Sequence, residues 1–297
     1  MRQQDTICDF STSDSWVILS PIEQSIKRKI EAVGTPLKDW DIQINYGIKT
    51  GCNEAFIIST EKRKEILDNC QTEDERKRTA ELIRPILRGR DIKRYGYVDN
   101  GLFLINTHNG IRNKLPRIDI NDYPAVKTHL DQYWDRISTR ADKGDTPYNL
   151  RNCAYLEDFS KPKVVYMEIQ TDNPEEGYPF PCYSYDDNRC IVLNTAYIMS
   201  SETTDPRYVL GILNSRLGKF LVKLYVIQLQ ERQFRMLSQY VMNFPIAHPT
   251  KEQENEMIHL VQDVLVHQSL ASEKRIDNLA FQIYGLTEIE IKSLISR

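Results

Sequence analysis

The chain has 297 residues, of which 40% are hydrophobic and 27% charged, with 12 Gly and 13 Pro; that exceeds a typical single-domain length and excludes a disordered or fibrous protein. No apolar run approaches the roughly 18 to 20 residues of a membrane helix, and MRQQDTICDF lacks the basic and apolar regions of a signal peptide, so the expected location is cytoplasmic with no membrane partner. The formal net charge of -3 looks unsuited to a polyanion until it is divided along the chain: residues 251-297 hold five Lys/Arg against eight Asp/Glu, which leaves residues 1-250 balanced.

Ser20-Pro21-Ile22-Glu23 is a capping box with proline in the first turn, and Ile22, Ile26, Ile30 and Val33 follow at helical spacing, which predicts a helix ending near Gly34. Residues 41-46 alternate as a strand, 47-53 read as a glycine-punctuated turn, and 55-58 resume as a strand, together a hairpin-like unit. Thr72 with Glu75 caps a helix that has to stop before Pro85, because proline disfavours helical geometry in the residue ahead of it. Residues 84-94 then carry Arg84, Arg88, Arg90, Lys93 and Arg94 against Asp91 alone. A helix is expected from about Pro124 to Arg140, and Arg136, Arg140, Lys143 and Arg151 flank an exposed loop at 144-149.

Residues 163-169 and 190-199 are rich in β-branched and aromatic side chains and read as strands of one sheet, separated by a Pro/Gly/Tyr loop. Asp205-Pro206 caps a long helix with Val209, Leu213, Leu217, Phe220 and Leu224 on one stripe. A second basic stretch, 216-235, sets Arg216, Lys219, Lys223, Arg232 and Arg235 against Glu231, and its end packs three Gln and two Arg into the eight residues from Gln228. Past Pro249 come two amphipathic helices and a short one capped by Thr287 and Glu290. The fold class that results is α+β: a mixed-sheet body with flanking helices over residues 1-250, followed by a helical C-terminal tail over 251-297.

Local basic faces can draw in a phosphate backbone even on a neutral molecule, since charge is screened beyond about 8 to 10 Å. Metal chemistry finds less support. The six cysteines, from Cys8 to Cys190, contain no CxxC pair, the five histidines no HxH or HxxxH pair, and the acidic pairs Glu175-Glu176 and Asp186-Asp187 sit in loops.

Six segments in order now resemble one family. Asn45 to Ile58 (NYGIKTGCNEAFII) resembles the GIKTGxNxAFII opening of the TaqI-like specificity region, found at the C-terminal end of adenine-N6 DNA methyltransferases and fused type IIG restriction-modification enzymes. Ile83 to Tyr95 is similar to its IKPxLRGRDIxRY, Lys161 to Ile169 to its KPKIIxxEI strand, and Tyr208 to Ser215 to its YLLAILNS helix. Phe234 to Ile246 is similar to its yLxxLPI exit and Ile283 to Thr287 to its IYGLT tail. The FxGxG-like cofactor loop and NPPY motif of the methyltransferase are absent from the sequence, as is the PD...ExK arrangement of a nuclease; Asn173-Pro174 is followed by two glutamates.

The resemblance implies sequence-specific recognition of double-stranded DNA in a type II restriction-modification system, serving phage defence, with a methyltransferase and a nuclease domain or subunit as partners. No cofactor is expected in this chain, and S-adenosylmethionine and Mg are implied for the missing catalytic domains. No catalytic residue is expected. The expected DNA contacts are Lys49, Thr50 and Asn53 in the glycine loop; Arg88, Arg90, Lys93 and Arg94; Arg136, Arg140 and Arg151, gripping phosphates; and Gln228, Gln230, Arg232, Gln233 and Arg235, reading bases. The glycine loop is expected to offer backbone amides, and Arg90 and Arg94 to be exposed contacts whose loss leaves stability nearly unchanged. A free-standing nuclease with a divergent metal site, and a protein-interaction module of a phage-defence complex, are the alternatives.

Overall fold

The computed structural model describes residues 19-173, 179-230 and 232-296; Cys8, Glu175, Glu176 and Glu231 lie outside them. The Ser20 hydroxyl accepts from the Glu23 amide and starts α1 (Pro21–Val33), which runs into the short strand β1 (Gly34–Pro36). Strand β2 (Gln43–Tyr46) is followed by one helical turn, α2 (Asn53–Phe56), and by β3 (Ile57–Ser59). β2 and β3 join different sheets, so the hairpin-like unit expected here does not form. The reason is local: Ala55 and Phe56 are fully buried in a turn of helix, and the chain changes direction there.

Helices α3 (Thr60–Asp68) and α4 (Glu73–Leu82) lead to β4 (Ile83–Leu87) and β5 (Leu102–Ile105). The helix expected to Arg140 is two pieces, α5 (Pro124–Asp131) and α6 (Trp134–Ile137). Strands β6 (Lys163–Met167), β7 (Ile169–Thr171), β8 (Tyr183–Asp186), β9 (Ile191–Val192) and β10 (Ala196–Ser200) follow. The long helix is broken at Ser215 into α7 (Pro206–Asn214) and α8 (Arg216–Tyr225), because the Ser215 hydroxyl accepts from the Gly218 amide and restarts it. The chain closes with β11 (Gln228–Gln230), β12 (Gln233–Arg235), α9 (Ser238–Val241), β13 (Pro245–Ala247), α10 (Lys251–His267), α11 (Leu270–Ile283) and α12 (Glu288–Ile295).

The central sheet has the order β2-β10-β6-β8, antiparallel throughout, with Tyr197 opposite Tyr46 and Tyr166. Side chains alternate across a strand, and both faces here are largely apolar, with the buried Lys163–Asp186 pair on one of them. Val164, Tyr166, Tyr197 and Met199 meet α7, α8, α10 and α11 on one side, while Val165, Ala196 and Ile198 meet the second four-stranded sheet, β3-β5-β4-β9, and α5 on the other. This wall separates two cores. A three-stranded sheet, β11-β12-β7, stands at its edge. The architecture is the α+β type expected, with helices at the C-terminal end.

Candidate nucleic-acid interface

The arginine-rich segment after β4 is organised by its one carboxylate. Asp91, only 3% exposed, accepts from the Arg88 amide (2.9 Å), from Arg88 Nε (2.9 Å) and Nη2 (2.8 Å), and from Asn100 Nδ2 (2.9 Å). Burial opposes the charge on Asp91, but Arg88 outweighs it and holds the carboxyl below its usual range. Arg88 is thus a clamp on the turn rather than a free cation. The Gly89 amide donates to Thr195 Oγ1 at 2.8 Å, and a Cβ at Gly89 would stand 2.6 Å from the Thr195 carbonyl oxygen, so only glycine lets the turn lie this close. Pinned on both sides, the 3-10 turn Gly89–Asp91 leaves Arg90 exposed, and among the described residues no carboxylate lies within ion-pair distance of it.

Lys93 Nζ donates to the Arg90 carbonyl at 3.0 Å, bracing the turn. Arg94 departs from expectation. Its guanidinium pairs with Glu273 of α11 at 2.7 Å and covers the Tyr95 ring at 4.9 Å, with 16% of the side chain exposed, so Arg94 ties body to tail. Tyr95 itself has φ +67 and plugs into the core, its amide donating to the Tyr183 carbonyl at 2.7 Å.

The glutamine-rich stretch forms an antiparallel ribbon. Gln228 faces Phe234, Gln230 faces Gln233, and β12 continues onto β7 with Gln233, Phe234 and Arg235 opposite Thr171, Gln170 and Ile169. Phe234 and Gln170 point inward: Phe234 stacks on Phe180 at 5.3 Å, and the Gln170 amide bonds the Cys182 backbone in both directions (3.0 and 2.8 Å). Alternation then puts Ile169, Thr171, Gln233 and Arg235 on the outward face. Arg235 is held by Glu168, through Nε at 3.0 Å and Nη2 at 2.9 Å, and Gln228, Gln230 and Arg232 are exposed.

A groove of about 430 Å³ lies between the Gly89–Arg90 turn and β7, the partner strand of β12, lined among others by Gly89, Arg90, Glu168, Ile169, Thr171 and Phe180. The ribbon borders it through β7, which pairs with β12, and through Phe180, which stacks on Phe234. Cys182 lies at its floor with a thiol that burial pushes up to about 12, so it offers no thiolate at neutral pH.

The other expected contacts lie elsewhere. The glycine loop is sewn into the wall: the amides of Gly47 and Ile48 donate to the carbonyls of Ala196 and Val192 (3.0 and 2.8 Å), and a Cβ at Gly47 would stand 2.2 Å from the Leu193 carbonyl oxygen. Its glycine serves backbone packing, and these two amides are not open to phosphate. Thr50, 1% exposed, bonds Asn53 Oδ1 at 2.6 Å and receives the Cys52 amide; Lys49 lies 5.9 Å from the Tyr46 ring. Arg140 is 7% exposed instead of lining an open loop. Its guanidinium donates to the carbonyls of Thr50, Asp142, Pro147 and Asn149 above the Phe56 ring; burial lowers its pKa to about 10, still charged at neutral pH. Arg136 pairs with Glu54, Lys143 donates to the Ser138 carbonyl, and Arg151 pairs with Asp142 at 3.2 Å. Glu168, Thr171 and Phe180 were absent from the expected contacts, although the alternation of 228-235 would have pointed to a ribbon and hence to a partner strand.

Comparison with known proteins supplies the context. The TaqI-like C-terminal specificity domain model matches residues 84–246, more than half of the chain. The type II methyltransferase M.BstVI of Geobacillus stearothermophilus is 23% identical over 292 residues, 95% of this chain and 46% of that protein. The type II methyltransferase M.BanIII of Aneurinibacillus aneurinilyticus is 21% identical over 265 residues, 83% of this chain and 42% of that protein. The chain thus spans less than half the length of these curated relatives. Among solved structures, the type IIL restriction-modification enzyme MmeI in complex with DNA superposes with a TM-score of 0.59 at 15% identity, over 89% of this chain and 37% of that one. The type IIG restriction endonuclease BpuSI does so with a TM-score of 0.51 at 13% identity, over 90% and 34%. Both share the fold. The chain belongs to the TaqI-like C-terminal specificity domain family.

Proposed function

We propose that this chain reads the sequence of double-stranded DNA for a type II restriction-modification system, the methyl transfer and any cleavage being performed by domains outside it. The observation that carries this reading is the groove between Arg90 and β7, the strand on which the β11-β12 ribbon is built. A two-stranded ribbon fits the major groove of B-DNA, glutamine matches adenine and arginine matches guanine through paired hydrogen bonds, and each such pair contributes about 1 to 3 kcal/mol of discrimination. Arg90 beside it supplies a phosphate contact that fixes register without reading sequence. S-adenosylmethionine and Mg belong, in this reading, to the methyltransferase and nuclease partners, and the assembly works in the cytoplasm against phage DNA. Among the described residues no group of three or more His, Cys, Asp or Glu side chains gathers as a metal site would require, so nothing favours the nuclease alternative.

A salt titration of binding to mixed-sequence duplex DNA tests the reading. Arg90→Ala is expected to make the slope of log affinity against log salt shallower by about 0.9, one phosphate contact, with an unchanged melting temperature. Undetectable binding of the wild-type chain at about 50 mM salt would refute the proposal.

A further inference from the structure

Strand β6 leaves the central sheet at Met167, β7 begins at Ile169, and Glu168 between them is a bend. Its backbone is held from two sides: the amide donates to the Thr195 carbonyl at 3.0 Å, and the carbonyl accepts from the Met236 amide at 2.7 Å. Thr195 also takes the Gly89 amide on its hydroxyl. One residue therefore sets the spacing between the Arg90 turn and Glu168, and Gly89, Arg90, Glu168 and Thr195 all line the groove. Arg235 stands opposite Ile169, another lining residue, with its own backbone bonded to those of Ile227 and Leu237 (3.2 and 2.8 Å).

The contact between the two side chains is one-sided. Arg235 Nε (3.0 Å) and Nη2 (2.9 Å) both reach a single oxygen, Oε1 of Glu168. A guanidinium presents N–H donors along two edges of a rigid fork. The carboxylate takes the side edge, and the end edge, formed by Nη1 and the remaining hydrogen of Nη2, meets no other acceptor among the described residues, while the side chain is 48% exposed. Paired donors of that kind match guanine O6 and N7 in the major groove. The two charges cancel, so the pair adds little to the grip on phosphates that every sequence shares.

We propose that Glu168 is a positioning residue for base reading: it grips the side edge of Arg235 and presents the end edge to a guanine of the recognised site. The inference rests on the DNA reading of the groove. An arginine without this brace has a long flexible side chain to order when it meets a base, and is as free to turn to a phosphate. A fixed fork sharpens the choice of base without raising affinity for DNA at large.

Selection from a random-sequence duplex pool, followed by titration of the selected duplex and its single-base variants, reads the preference at each pair. For the wild type, one guanine is expected to be preferred over the other bases by about 5- to 150-fold. Arg235→Met, which keeps the stem and removes the fork, is expected to abolish that preference and leave the others in place. Glu168→Ala is expected to lower it at the same pair by about fivefold or more, and to bind mixed-sequence duplex at least as tightly as the wild type, since a carboxylate is gone from beside a polyanion; a structural role alone would weaken binding to every sequence. Added to Arg235→Met, Glu168→Ala is expected to change the preference no further. The inference is overturned if Glu168→Ala keeps the full preference or loses one at a different pair. It is overturned equally if Arg235→Met weakens binding to all sequences alike, with a salt slope shallower by about 0.9, the mark of a phosphate contact; that result is decisive even where Glu168→Ala folds poorly, and it leaves the DNA reading standing. A wild-type chain that binds no duplex DNA overturns that reading, and this inference with it.

Discussion

Arg140→Met keeps the apolar stem of the side chain and deletes its guanidinium, which isolates the hydrogen bonds. Four carbonyl oxygens lose a charged donor, those of Thr50 and Asn149 in buried bonds and those of Asp142 and Pro147 in half-buried ones. Water can reach the second pair, and the Asn149 oxygen keeps the Gly144 amide at 2.9 Å, so the cost falls on the Thr50 oxygen, at about 1 to 3 kcal/mol for an unsatisfied group. The Phe56 ring also loses its cation, worth about 1 kcal/mol. The sum is a destabilisation of about 3 kcal/mol, a fall in melting temperature on the order of 6 °C for a chain of this size. Urea unfolding followed by circular dichroism gives the midpoint and slope, and DNA binding is measured at a temperature where the variant is folded. The reasoning predicts lower stability with an unchanged salt slope. A loss below about 1 kcal/mol, or a salt slope shallower by about 0.9 with stability intact, refutes it, since either would mean that the side chain is free to meet phosphate.

Lys163 and Asp186 form an ion pair with both side chains 0% exposed, and the carboxylate also accepts from the Tyr97 hydroxyl and the Cys190 amide. Asp186→Ala strands a buried ammonium and is expected to cost about 3 to 5 kcal/mol, while adding Lys163→Met recovers part of that; a double variant no better than the single one contradicts this. His129 donates from Nε2 to the Ala55 carbonyl at 3.0 Å, and burial lowers its pKa. Because the folded imidazole resists a proton that the unfolded one accepts, stability is full above about pH 6.5 and drains as the pH falls. His129→Gln is expected to flatten the decline in urea midpoint between pH 7.5 and 5, leaving the share of His108, which burial shifts in the same direction; an equally steep decline in the variant counts against the assignment.

The local signals were legible because they act over three or four residues. The side chains of Ser20, Thr72 and Asp205 each cap a helix where the sequence places one. Strand partners were not, since they are chosen by packing across the chain: β4 pairs in parallel with β9, about a hundred residues on, and β2 with β10 rather than with its neighbour β3. The break at Ser215 had a signal that the continuous apolar stripe masked. A Cβ at Gly218 would stand 2.1 Å from the Leu213 carbonyl oxygen, so the glycine marks where two helices nearly touch. At the interface, clusters of cations could be counted, but the carboxylates that occupy them, Glu168, Asp172, Glu273 and Asp277, come from distant segments. What survives as exposed charge, Arg90, is a property of the folded molecule.

The two-sided apolar wall has a consequence for how the protein comes apart. Tyr197 and Ile198 are neighbours in the chain and yet belong to opposite cores, so a defect in β10 is transmitted to both at once. Neither half can shed its layer without exposing the other's lining to water. On heating, the two halves are therefore expected to come apart together rather than piecemeal.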